Sequence, residues 1–233
     1  MANDLSALSG AVIAFDLDGT LVDTAPDLIG TLNALLAEEG LTPLAVDLAR
    51  PLIGHGAGRL IERGFQAANA PLEATRMPDL LDRFVARYIA HIADESRPFP
   101  GAVQALTRMK AAGARLAVCT NKLTTLSTAL LDALDLSRLF DAVVGPDVAG
   151  VAKPDPRHLE AAVRAAGGSL DRALMVGDAA TDAGAARAAG APLILVSFGY
   201  TETPAAELSP DVLIDHFDQL PDACVRLLGA CGS

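Results

Sequence analysis

The sequence predicts an α/β fold, a parallel sheet with helices on both faces and an all-helical segment inserted after the first strand. Two patterns lead there. Short runs rich in β-branched and aliphatic residues alternate with helical spacings, which is how parallel strands and their crossovers are written. Several runs are continuously apolar rather than alternating with polar residues, as expected where helices cover both faces.

The strands fall at "VIAF" (12–15), "RLAVC" (115–119), "AVV" (142–144), "ALMV" (173–176), "LILV" (193–196) and "VLI" (212–214). Between the first and second lies far more chain than the roughly one dozen residues a crossover needs. Inside that gap Leu28, Leu32, Leu35 and Leu36 recur at helical spacing, as do Leu81, Phe84, Val85, Tyr88 and Ile92, with no comparable strand signal. "TAPD" at its start reads as a capping box from Thr24 to Asp27 with Pro26 early in the helix, and "RPFPG" punctuates its end. The insert is therefore placed at 22–97, and the α/β core at 1–21 and 98–233.

Composition bounds the function. The chain has 233 residues, 51% apolar and 4% aromatic with no tryptophan, so its core is built from Ala, Leu, Val and Ile. A formal charge of −11 without a Lys/Arg cluster argues against nucleic-acid partners. No apolar stretch approaches the roughly 20 residues of a membrane span. "MANDLSALSG" lacks the basic and apolar regions of a secretory leader, which predicts a cytoplasmic protein. Cys119, Cys224 and Cys231 form neither a CxxC pair nor an even set, fitting reduced thiols and leaving any metal to oxygen ligands.

Strand ends carry the chemistry of such sheets. After the first strand come Asp16 and Asp18, two apart and so of equal parity, with Gly19 to turn the chain. Thr120 and Asn121 follow the second strand, Lys153 lies beyond the third, and "GDAATD" with Asp178 and Asp182 follows the fourth. Carboxylates gathered there repel one another unless a cation sits among them, and hard oxygen donors suit Mg²⁺. On a helix starting near Asp178, Asp182 is one turn along, placed to bind a metal-bound water or to brace Asp178. Taken singly, each feature has a plainer reading: Asp-x-Asp-Gly as a turn, Lys153 as a solvated lysine, Asp155-Pro156 as a helix start, and Asp178 and Thr120 as N-caps. Asp23 and Thr24 read as structural, and Cys119 as a buried strand residue.

"DLDGT" (16–20), Thr120, Lys153 and "GDAATD" (177–182), in that order, resemble the four motifs of the haloacid dehalogenase superfamily of phosphohydrolases. The resemblance implies a Rossmann-like core with a helical cap. It implies that Asp16 is a nucleophile giving an aspartyl phosphate, and that Asp18 protonates the leaving oxygen and then deprotonates water. It further implies that Mg²⁺ binds the Asp16 carboxylate, the Asp18 carbonyl and Asp178. Lys153 and Thr120, with Gly19, Thr20 and Asn121 nearby, would then complete a cradle that neutralises the phosphoryl oxygens.

The cap should hold specificity. "LIGHGAGRLIERG" offers Gly54, Gly56 and Gly58, with His55 and Arg59 as substrate contacts; the alternative is a glycine-rich bend with an exposed arginine. All three lysines (Lys110, Lys122, Lys153) lie outside the cap, which disfavours Schiff-base chemistry there. Asp18 and Thr20 separate the chain from dehalogenases and sugar phosphate mutases respectively. The strings "FDLDGTLVDTAPDL", "IGHGAGRLIERGF" and "PFPG" are similar to those of phosphoglycolate phosphatases, and related phosphatases for sugar phosphates, nucleotides or pyrophosphate share most of them. The expected partner is a small phosphorylated metabolite, the chain acting as a monomer or homodimer. A reading from another class is a receiver-like phosphoacceptor signalling module, opposed by the large insert and by Asp18.

Overall fold

The computed structural model describes residues 4–230. The strands are β1 (Val12–Phe15), β2 (Val22–Asp23), β3 (Arg97–Pro98), β4 (Arg115–Cys119), β5 (Ala142–Val144), β6 (Ala173–Gly177), β7 (Leu193–Val196) and β8 (Val212–Ile214). Six form a parallel sheet in the order β5-β4-β1-β6-β7-β8. All six runs expected from the sequence are strands of this sheet. Successive residues face opposite layers. Ile13 and Phe15 pack with Leu116, Val118, Leu174 and Val176 in one cluster, while Val12 and Ala14 pack with Ala117, Cys119 and Met175 in the other.

The helices are α1 (Ala25–Glu38), α2 (Val46–Ala49), α3 (Ala57–Ala67), α4 (Met77–Ala90), α5 (Ala102–Ala111), α6 (Thr124–Ala133), α7 (Pro146–Ala149), α8 (Pro156–Ala165), α9 (Ala180–Ala189) and α10 (Leu220–Ala230). Side chains of α5, α6 and α10 cover the first layer, and those of α8 and α9 the second. At the start of α8, Asp155 is the N-cap, accepting from the Arg157 N–H, and Pro156 opens the helix. Cys119 and Cys224 are buried free thiols, as expected; Cys231 lies outside the described residues. Among the described residues no helix is long and apolar enough to cross a membrane.

Helices α1 to α4 form the insert, with an apolar core of their own. Leu28, Leu32 and Leu36 of α1 meet Ile61 and Phe65 of α3 and Phe84 and Tyr88 of α4. Leu126 and Tyr200 of the sheet domain join the same cluster, so the two units share a contact layer. The two connecting segments pair as a short antiparallel ribbon, Val22 opposite Pro98 and Asp23 opposite Arg97, too short to register in the sequence pattern.

The expected Thr24–Asp27 capping box does not form, because both side chains have longer-range partners. The Thr24 hydroxyl donates to Asp18 at 2.8 Å. Buried Asp27 accepts from the Ser96 N–H at 2.8 Å, the Ser96 hydroxyl at 2.6 Å and the Glu95 N–H at 3.0 Å. One carboxylate thus fastens the first helix of the insert to the segment that leaves it. Asp27→Ala strands the buried Ser96 N–H and hydroxyl and should cost about 2–4 kcal/mol, read from urea denaturation; a loss below about 0.5 kcal/mol would show the fastening to be unimportant.

Candidate active site

Register brings the site together. Phe15 stands level with Val118 on one side and Val176 on the other. The chain therefore leaves three adjacent strands at one level, delivering Asp16, Thr120 and Asp178 to a single edge. This is the position where open parallel sheets bind ligands.

Lys153 lies at the centre. Its side chain is fully buried, and its ammonium sits 2.9 Å from Asp16 and 2.7 Å from Asp182. Burial alone would lower its pKa, but Asp16 and Asp182 reverse that and hold it above the ordinary lysine value. Asp182 is spent in this arrangement. Its Oδ1 accepts from Lys153, and its Oδ2 accepts from the Asp178 N–H at 3.2 Å and the Ala179 N–H at 3.0 Å. Ala179, the N-cap of α9, has no side-chain acceptor, so Asp182 supplies what capping the helix start receives. Gly177 makes this possible, since a Cβ there would lie 2.3 Å from the Asp182 carboxyl carbon.

Asp178 accepts from the Thr20 hydroxyl at 2.8 Å and the Tyr200 N–H at 2.7 Å. Gly19, at φ +83°, passes so close that a Cβ would meet the Asp178 carboxylate at 2.7 Å. Burial, followed by Asp182 and Asp16, pushes the Asp178 carboxyl up to about 8. Burial raises Asp16 to about 6 against the pull of Lys153. Both shifts begin with burial, and the Asp182 carboxylate adds to each; Lys153 contacts two of the three acids.

Oxygen atoms of Asp16, Asp178 and Asp182 all lie within 4.8 Å of one another. Three buried acids against one ammonium leave a deficit of two positive charges, and every free donor is a hard oxygen, so the residues fit a divalent cation. Asp182 is engaged by Lys153 and two N–H groups, which leaves Asp16 and Asp178, the latter held only by the Thr20 hydroxyl and the Tyr200 N–H, as the candidate carboxylates for such an ion.

The other expected residues divide. Thr120 is buried at the edge, its hydroxyl accepting from the Lys122 N–H at 3.2 Å. Asn121 donates to the Gly54 and Lys153 carbonyls at 3.2 and 3.1 Å and accepts from the Lys153 N–H at 2.8 Å, so its amide ties a cap loop to the Lys153 loop. Thr20 and Gly19 serve Asp178 directly. His55, Gly56 and Arg59 line a cavity of about 390 Å³ between cap and core, together with Asp16, Asp18 and Thr120. The Arg59 side chain is 67% exposed and pairs with Glu62 at 2.6 Å. Burial, then nearby Arg63, lowers the His55 pKa below its ordinary value.

Lys122 and Tyr200 escaped the sequence reading. Lys122, 5% exposed, pairs with Asp18 at 3.1 and 3.2 Å. Its spacing of two from Thr120 repeats the Asp16–Asp18 spacing and was the signal available. Tyr200 follows β7; its hydroxyl accepts from the Ala25 N–H at 3.0 Å and donates to Asp23, joining the core to the first turn of α1. Nothing local in the sequence marks that role.

A family model for haloacid dehalogenase-like hydrolases matches residues 11–190. The chain belongs to this family. It is 59% identical over 227 residues to a phosphoglycolate phosphatase of Caulobacter vibrioides, covering 97% of this chain and 96% of the relative. A phosphoglycolate phosphatase of Mesorhizobium japonicum is 46% identical, covering 97% and 100%. Among solved structures, one described as a predicted phosphoglycolate phosphatase from Haemophilus somnus 129PT superposes with a TM-score of 0.84 at 30% identity, covering 91% of this chain and 97% of the other. CbbY from Rhodobacter sphaeroides in complex with phosphate superposes at 0.78 with 26% identity, covering 93% and 99%. The expected family and α/β fold with a helical insert are therefore both found.

Asp182→Ala would leave two N–H groups and half of the Lys153 pairing without a partner. We expect a loss of about 3–5 kcal/mol, measured by urea denaturation of the metal-free protein; unchanged stability would mean that Asp182 does not brace this site.

Proposed function

We propose that the chain is a Mg²⁺-dependent phosphomonoesterase acting on 2-phosphoglycolate through an aspartyl phosphate. The observation that carries this reading is the buried group of Asp16, Asp178 and Asp182 around Lys153, at a strand edge beside the cavity that Asp16 lines. The substrate rests on the 59% identity to the Caulobacter enzyme of that name. Residues 22–97 are taken as the cap that encloses the substrate, and all the named groups come from one chain.

An Asp16 carboxylate oxygen attacks phosphorus in line, and the ester P–O bond breaks. Asp18 gives its proton to the departing oxygen and later takes one from the water that displaces phosphate from Asp16. Both partners in the first step are anionic, so the ammonium of Lys153 must offset the phosphoryl charge. Mg²⁺, held by the Asp16 and Asp178 carboxylates and the Asp18 carbonyl, would supply the remaining positive charge. Thr120 donates its hydroxyl to a phosphoryl oxygen. Asp182 holds Lys153 and α9 in place, and Asn121 keeps the Lys153 loop aligned with the cap.

Asp16→Asn should abolish steady phosphate release from 2-phosphoglycolate, by at least about 10³-fold, while preserving the circular dichroism spectrum. Turnover within tenfold of wild type would overturn the covalent route. Multiple turnovers also separate this reading from a phosphoacceptor module, which would stop after one equivalent.

Mg²⁺ added to the metal-free protein should raise its Tm by several degrees, following ligand linkage; Asp178→Asn should remove most of that rise. An equal rise in the variant would take Asp178 out of the metal site. In a panel of 2-phosphoglycolate, pyrophosphate, nucleotides and hexose phosphates, 2-phosphoglycolate should have the highest kcat/KM.

A further inference from the structure

The cavity over Asp16 and Asp18 has a charged wall that the hydrolytic scheme does not use. Lys122 lines it, buried between the Asp18 carboxylate and the face of Tyr88, whose ring centroid is 4.4 Å from the ammonium. Tyr88 is itself buried in the cap and lines the same cavity. Its hydroxyl has no well-formed hydrogen bond, and the Lys122 ammonium is the polar group close enough to act on it. A buried hydroxyl without a well-formed hydrogen bond is costly and rare.

The shape of the substrate class fixes where a second anion must sit. In a phosphorylated two-carbon hydroxy acid, a single methylene separates the ester oxygen from the carboxylate. That ester oxygen has to lie beside Asp18 to receive its proton, so the carboxylate falls within reach of whatever touches Asp18. Lys122 is that group. In a largely apolar cavity an unpaired carboxylate is disfavoured, and the alternatives are poor: Arg59 is 67% exposed and held by Glu62, while burial depresses the His55 pKa. An ammonium has three donors. Asp18, approached at 3.1 and 3.2 Å, occupies at most two of them.

We propose that Lys122 and the Tyr88 hydroxyl form a carboxylate subsite, which selects a phosphorylated hydroxy acid over a plain alkyl phosphate. This rests on the phosphatase reading above and deepens it: Lys122 determines specificity, and the cap contributes through Tyr88 rather than through Arg59.

The test compares kcat/KM for 2-phosphoglycolate with that for ethyl phosphate, which has the same chain length and no carboxylate. In Lys122→Met the ratio should collapse by at least about 30-fold, with the selective loss appearing in KM. Lys122→Arg, still cationic, should retain most of the preference. In Tyr88→Phe the ratio should fall by about 5- to 10-fold, with Tm equal to or above that of wild type because a buried hydroxyl without a well-formed hydrogen bond is gone. Equal losses on both substrates in Lys122→Met would overturn the proposal, since Lys122 would then only position Asp18. If Lys122→Met shows no cooperative thermal transition, Tyr88→Phe decides, and an unchanged ratio overturns the subsite. A wild-type preference for ethyl phosphate would sink the substrate reading as well, whereas a wild-type preference for 2-phosphoglycolate that survives in both variants sinks this inference alone.

Discussion

A single ammonium, buried without access to water, holds together the catalytic edge of this protein. Lys153 stands between Asp16, just after β1, and Asp182 on α9, and the rest of the site is arranged by what that costs. Removing a charge from water carries a penalty of several kcal/mol, so the lysine is tolerable only with both carboxylates in contact. Asp182 in turn has its second oxygen occupied by two N–H groups at the start of the helix. Asp16 is left as the acid that lines the cavity, and Asp178 as a carboxylate without an ammonium. An incomplete charge balance at a strand edge attracts a cation and, through it, an anion.

Packing around Asp178 follows the same logic at a smaller scale. Glycines replace side chains where the backbone must approach: Gly19 beside its carboxylate, and Gly199, where a Cβ would stand 2.1 Å from the Asp178 Cβ. Thr20 and the Tyr200 N–H then reach hydrogen-bonding distance. Tyr200 also braces the cap linker through Ala25 and Asp23. One loop after β7 thereby couples the acidic site to the N-terminal end of α1, and Arg50 of the insert pairs with the same Asp23 at 2.9 Å.

Much of this was legible in the sequence because it is written locally. Strands buried on both faces are continuous apolar runs, and "VIAF", "ALMV" and "LILV" are strands at those positions. The candidate residues Asp16, Thr120, Lys153 and Asp178 sit at strand ends or in the loops after them, where acids and hydroxyls interrupt apolar runs. Less legible were partnerships across distant chain. Thr24 and Asp27 have the composition of a capping box, yet Asp18 and Ser96 claim them, since a charged or buried partner outweighs an exposed cap of about 1 kcal/mol. Tyr88 fits a helical apolar stripe perfectly well, and its periodicity says nothing of the lysine over its ring.

By itself, then, the sequence determined the class of fold, the all-helical insert, and the order of acids and lysine along the chain, because period and punctuation are short-range properties of a polymer. Only the tertiary structure decided which acid braces and which stays open, that Asn121 is consumed by backbone, and that Lys122 rather than Arg59 presents buried positive charge to the cavity. Those outcomes depend on competition among donors and acceptors brought within about 3 Å by sheet register, and no spacing along the chain encodes the result of that competition.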